Sequence, residues 1–94
     1  MARKYADTLR QELHVLEIHL FGSYAIGTPH RDSDIDIAVV SDSFTGDPVD
    51  DRVALLILKS RIDNRIEPHP FLPKDFTIEN PFAKKILETG IRIA

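Results

Sequence analysis

Two stretches of alternating apolar residues, Val15 to Phe21 and Asp34 to Val40, flank a glycine-bounded turn, and this arrangement constrains the fold more than anything else in the chain. A period of two puts alternate side chains on opposite faces of an extended strand. In the first stretch Leu16, Ile18 and Leu20 share one face, and Val15, Glu17, His19 and Phe21 share the other. In the second, Ile35, Ile37 and Val39 lie opposite Asp34 and Asp36. The second strand therefore offers an apolar side to a core and a side carrying two carboxylates. Two anions held that close repel unless a cation sits between them, and Mg²⁺ characteristically takes one or two carboxylates plus substrate phosphates and water. The spacing implies a divalent metal.

The turn itself, Gly22-Ser23-Tyr24-Ala25-Ile26-Gly27, places a glycine and a small hydroxyl residue at the end of an apolar strand. Backbone N–H groups there can approach phosphate oxygens closely, and a helix starting at the turn adds its positive end. Ser23 suits the N-cap of such a helix, which Gly27-Thr28-Pro29 would stop almost at once. A phosphate-cradling turn beside two same-face acids is equipment for a metal-bound nucleoside triphosphate.

The rest of the chain supplies cover for a sheet. Tyr5, Leu9 and Leu13 recur at helical spacing over residues 3–13. Asp47-Pro48 predicts a helix start, because Asp accepts from free N–H groups and Pro fits the first helical position. From there a helix of about four turns is expected to end near Ile62 or Asp63, with Val49, Val53, Leu56, Ile57 and Ser60 on one face. Residues 64–71 read as a third strand with Ile66 opposite Glu67, and Pro68 and Pro70 predict an edge position. Asn80-Pro81 repeats the helix start, and Gly90 stands where a left-handed C-terminal residue belongs. Ile91-Arg92-Ile93 is read as a short strand or docked tail. The expected class is α+β: a small mixed sheet with helices packed on one face and the carboxylates on the other.

With Gly22, Ser23, Gly27, Ser33, Asp34 and Asp36 in this order, the chain resembles the nucleotidyltransferase superfamily of the DNA polymerase β type, whose signature is a Gly-Ser turn followed by an Asp-x-Asp strand. It looks most like the minimal nucleotidyltransferase branch, and the likeness covers roughly residues 9–72 in order of elements. The resemblance implies a third carboxylate, best matched by Glu67 in Arg65-Ile66-Glu67-Pro68-His69-Pro70. Asp34, Asp36 and Glu67 are then the catalytic and metal-binding residues for two Mg²⁺ ions. Gly22, Ser23 and Ser33 contact the nucleotide, ATP is the substrate, and pyrophosphate leaves as a hydroxyl attacks the α-phosphorus. Many members of the branch carry Arg or Lys where this chain has Ile26. His30 and Arg31, in the loop between the motif halves, either offset that difference or are simply an exposed basic pair. His69 shares the strand face of Glu67, as a substrate neighbour or as an ordinary half-exposed residue.

Small members of the branch act on a helical partner of the HEPN type, so the resemblance implies transfer of AMP to a hydroxyl on such a protein, as the antitoxin of a toxin–antitoxin pair. Two other readings stay open. One is a non-catalytic antitoxin or nucleotide-binding module acting by contact. The other is a small-molecule nucleotidyltransferase completed by homo-oligomerisation. With 94 residues the chain is expected to be one domain, 1–94, with room for a single core and little to enclose a small acceptor unaided. A net charge of −3 disfavours a nucleic-acid template, which needs a basic surface to release phosphate counterions. The absence of cysteine excludes disulfides and thiolate metal sites. No apolar run reaches the ~18 residues of a membrane span, and Met1 to Asp7 lacks the apolar core of a signal peptide, so a cytoplasmic location is expected.

Overall fold

The computed structural model describes residues 2–22, 25, 27 and 34–94. In chain order the helices and strands are α1 (Ala2–Glu12), β1 (Val15–Phe21), β2 (Ile35–Ser41), α2 (Pro48–Lys59), β3 (Ile66–Phe71), α3 (Pro81–Thr89) and β4 (Ile91–Arg92). Among the described residues the strands form one mixed sheet in the order β3-β2-β1-β4. β1 runs antiparallel to both β2 and β4. β3 runs parallel to β2, a pairing that needs a crossover, and α2 supplies it. Pairing continues from Ile66 to Phe71 through Pro68 and Pro70, so the two missing donors must face the open side of an edge strand.

The strand faces fall as alternation dictates except at the start of β1, where a register shift between Val15 and Glu17 leaves Leu16, expected beside Ile18, 39% exposed and packs Val15, expected on the other face, against the Ile18 cluster. Ile18, Ile35, Ile37, Val39 and Ile66 are buried in one cluster with Tyr5, Ala6 and Leu9 of α1 and Leu55 of α2. Burying apolar side chains of this size contributes about 1.5–3 kcal/mol each. Thus α1 and α2 cover the face opposite the acids. α3 adds a layer on the other face, where Ala83 and Ile86 pack with Ala38, Val40, Phe71 and Phe76. The helices are therefore not all on the face opposite the carboxylates, as was expected: α3 shares the acid face, and its Phe82 reaches Phe21 and His69 beside Asp36.

The rotation of α2 differs from the expected one. Val49, Val53 and Ile57, read as sharing one face with Leu56 and Ser60, are 69%, 47% and 54% exposed, whereas Leu55 and Asp51 are buried. The helix is apolar on more than one side, so periodicity does not choose between faces. Polar contacts do. The Asp51 carboxylate accepts from the Thr45 N–H (2.9 Å), the Thr45 hydroxyl (3.0 Å) and the Gly46 N–H (3.0 Å). The Tyr5 hydroxyl donates to the Leu55 carbonyl at 2.9 Å. The start of α2 is as predicted, with the Asp47 carboxylate accepting from the N–H groups of Val49 and Asp50. It ends at Lys59, before the predicted Ile62, and the chain leaves through tight turns.

Burial pushes the Tyr5 phenol well above its ordinary pKa. Its folded value exceeds the unfolded value of about 10, so its contribution to stability is present below pH ~10 and is lost as pH rises further. Tyr5→Phe is expected to lower stability by about 1 kcal/mol at neutral pH, through loss of the bond to Leu55. It should also lose less stability than the wild type between about pH 7 and about pH 11. Urea denaturation of both chains at the two pH values checks this, and equal alkaline losses would rule out Tyr5 as their source.

Gly90 is also not the left-handed cap that was expected: at φ −81° and ψ 169° it is extended. A β-carbon there would meet the Ile86 carbonyl oxygen at 2.6 Å and the Leu20 carbonyl oxygen at 3.0 Å. The glycine therefore serves close approach, as the chain turns from α3 straight into β4 beside β1. Beyond β4, Ile93 donates to the Ile18 carbonyl and Ile18 donates to that of Ala94. Among the described residues no helix is long and apolar enough to cross a membrane.

Candidate active site

The site lies where β1 ends and β2 and β3 begin. Phe21 pairs with Asp36, and Asp36 with Glu67, so the three form one row across neighbouring strands on one face of the sheet. Adjacent strands are about 4.8 Å apart, so Asp36 and Glu67 stand side by side on this face. Asp34 precedes β2 and is exposed. The next residue, Ile35, donates to the Arg65 carbonyl at 2.7 Å, tying the start of β2 to the entry of β3. Arg65 in turn grips Asp63 through Nε (3.2 Å) and Nη2 (3.1 Å). Those bonds hold the Asp63 carboxyl below the usual carboxylate range.

Gly22 joins the two halves of the sequence motif physically. Its φ is +75°, and a β-carbon at this position would stand 2.4 Å from Asp36 Oδ2 and 3.3 Å from Asp36 Cγ. The turn backbone is thus laid against the carboxylate, which only a residue lacking a β-carbon permits. The Gly22 carbonyl accepts from the Ala25 N–H at 3.1 Å. Ser23 and Ser33, expected at the nucleotide, lie outside the described residues, as do Ile26, His30 and Arg31.

His69 is brought into the site. Its Nε2 is 3.3 Å from Asp36 Oδ1, and since the carboxylate can only accept, the proton of this bond sits on Nε2. The ring packs against Phe21 (5.1 Å between centroids) and Phe82 of α3 (5.6 Å), which are themselves 5.7 Å apart. Burial in this aromatic cluster holds the imidazole below its ordinary pKa. The Asp36 bond and charge restore part of the loss, and the Arg52 charge adds to it.

Arg52 was not anticipated. It projects from α2, on the opposite face of the sheet, past the β3 edge, and its Nη2 pairs with Glu67 Oε1. At 40% and 32% side-chain exposure the two remain in contact with water, and a pair of this kind contributes about 0–1 kcal/mol. No local spacing signals the contact, because it depends on how α2 docks against β3. Phe82 was likewise missed, although the Asn80 cap fixes its place in the first turn of α3: Asn80 Oδ1 accepts from the Phe82 N–H at 3.0 Å.

The donor set consists of hard carboxylate oxygens, which suit Mg²⁺. Asp36 and Glu67 are neighbours in the row, with Asp34 just ahead of β2. Among the described residues, however, no three ligating side chains converge as a ready-made metal centre. Glu67 is engaged by Arg52 and Asp36 by His69.

Comparison with known proteins places these features in context. A nucleotidyltransferase domain family model matches residues 2–92. The protein adenylyltransferase MntA of Shewanella oneidensis is 54% identical over 39 residues, a match spanning 40% of this chain and 28% of that protein. The matched segment thus falls well short of that relative's length. A solved toxin–antitoxin structure with AMP-PNP superposes with a TM-score of 0.75 at 28% identity, over all of this chain and 73% of that one. A toxin–antitoxin MntA-HpeT mutant structure gives 0.74 at 27% identity, again over the whole chain and 73% of its counterpart.

Proposed function

Because the chain belongs to the nucleotidyltransferase domain family, we propose that it transfers AMP from ATP to a hydroxyl on a partner protein, as the antitoxin of a toxin–antitoxin pair. The observation that carries this reading is the contact between the Gly22 turn and the Asp36 carboxylate, with Glu67 next in the same row. A site for triphosphate and a site for its cation are thereby one place.

In this reading Asp34, Asp36 and Glu67 are the residues that would hold Mg²⁺. When bound, Mg²⁺ neutralises phosphate charge and favours the attacking hydroxyl. The backbone at Gly22, with Ser23 and Ser33, receives the triphosphate. His69 keeps the Asp36 carboxylate in orientation through Nε2–H. The acceptor oxygen forms a bond to the α-phosphorus as the bond to pyrophosphate breaks, and no side chain of this protein acts as nucleophile. Positioning and charge stabilisation supply the rate. Residues 1–94 act as one such domain in the cytoplasm, where ATP is available.

A helical HEPN-type protein is the proposed acceptor. The adenylyltransferase relative and the toxin–antitoxin structures support a toxin as the protein partner. Val49, Val53 and Ile57, exposed along α2, give the domain apolar surface of the kind that protein partners cover. The hold of Arg52 on Glu67 favours a second reading, an antitoxin that acts by contact alone. Incubation with ATP labelled in its α-phosphate, Mg²⁺, the HEPN-type partner and an aminoglycoside separates these readings. Label on the partner is expected. Label on the aminoglycoside alone would instead point to a small-molecule transferase completed by oligomerisation. No label, with tight binding of partner that ignores nucleotide, would leave only the contact antitoxin.

A further inference from the structure

We infer that Arg52 is a built-in counter-cation of the active site, holding Glu67 away from the metal position until loading, when Glu67 leaves the guanidinium for the metal. The inference rests on the metal-dependent transfer reading above and adds a positioning residue to it. Three observations carry it. Glu67 stands beside Asp36 in the cross-strand row, so the bare acids repel one another and a cation among them is stabilising. The cation present is Arg52, contributed by a helix on the other face of the sheet, and its pairing engages one Glu67 oxygen. Among the described residues the acids do not form a group of three ligating side chains, and Glu67 is the one of them paired with a cation from another element.

Magnitudes favour exchange. The pair is part exposed on both sides, and such pairs are weak and screened by water and salt. A divalent ion carries twice the charge on a smaller centre, and it gains ligands from phosphate as well. Arg52 therefore neutralises Glu67 without trapping it.

The test is a double-mutant cycle on metal binding by the nucleotide-free chain, with Mn²⁺ counted by the loss of its free EPR signal. Arg52→Gln is expected to bind Mn²⁺ about tenfold more tightly than wild type, because the competing cation is gone. In a Glu67→Gln background the same substitution should give almost no gain, since the carboxylate it releases is absent. Arg52→Met, which keeps the apolar stem, should behave as Arg52→Gln does and covers the case in which the glutamine variant folds poorly. A gain of equal size in the Glu67→Gln background would show a general charge effect and overturn the inference. Unchanged or weaker binding in Arg52→Gln and Arg52→Met would overturn it too, leaving Arg52 a structural tether. In both of those cases AMP transfer by the wild type is unaffected and the transfer reading stands. Failure of every chain to bind Mn²⁺ would instead remove the metal site on which both readings are built.

Discussion

Asp36→Asn is expected to abolish AMP transfer, with a loss of about 10³-fold or more, equivalent to ~4 kcal/mol of transition-state stabilisation. The substitution keeps the shape of the side chain and an oxygen that can still accept from His69 Nε2, so packing against Gly22 and the aromatic cluster persists. What disappears is the charge. A neutral amide is a poor ligand for Mg²⁺, and Asp36 is central in the row, flanked by Phe21 on one strand and Glu67 on the other. Stability should stay within about 1 kcal/mol of wild type, because the half-buried amide meets the same neighbours. Label transfer from ATP to the partner, run beside a urea melt, reads both quantities. Transfer surviving in a folded Asp36→Asn chain would sink the mechanism.

Gly22→Ala is expected to produce the second large effect, and by a different route. A φ of +75° places an L-residue in the left-handed region, at a cost of about 1–2 kcal/mol. The new β-carbon would also lie 2.4 Å from Asp36 Oδ2, closer than any real contact, so either the turn or the carboxylate must move. A displacement of about 1 Å at a reacting group lowers rate by about 10²-fold, which is the expected loss of transfer. The melting temperature should fall by about 4–8 °C for each kcal/mol lost in a domain of this size. The two components are separable. In an Asp36→Ala background the clash is gone and the φ cost remains, so Gly22→Ala should destabilise less there than in wild type. Equal destabilisation in both backgrounds would show that the turn alone, and not its contact with Asp36, carries the effect.

The strands were legible because their signal is local. Val15 to Phe21 matches β1 residue for residue, and the carboxylate side of β2 follows from parity once residues 35–41 are extended. The edge position of β3 was legible too, from prolines that cannot donate. Both proline-started helices begin where Asp47 and Asn80 cap them, through side-chain bonds to N–H groups two and three residues ahead. The face of α2 was not legible. Its run from Val53 to Leu58 is apolar in every direction, and the choice among faces fell to Asp51 and Tyr5, whose partners lie in other elements. Gly90 was misread for a related reason: a glycine after a helix suggests a left-handed cap, but here the constraint comes from the Leu20 and Ile86 carbonyls above it.

Period and cap chemistry were therefore enough to state the strands, the acid side of β2 and the two proline-started helices, since each of these depends on residues within a few positions of one another, whereas Glu67 as the third acid came from the family resemblance. Folding in three dimensions had to supply the rest. The closeness of Gly22 to the Asp36 carboxylate, the His69 bond to Asp36, the placement of Phe82 over that ring, and the reach of Arg52 round the β3 edge to Glu67 all join residues at least thirteen positions apart. Such contacts follow from the register of paired strands and the angle at which helices dock. Neither leaves a periodic trace in the chain, because both are set by the total of burial and hydrogen bonding across the whole domain.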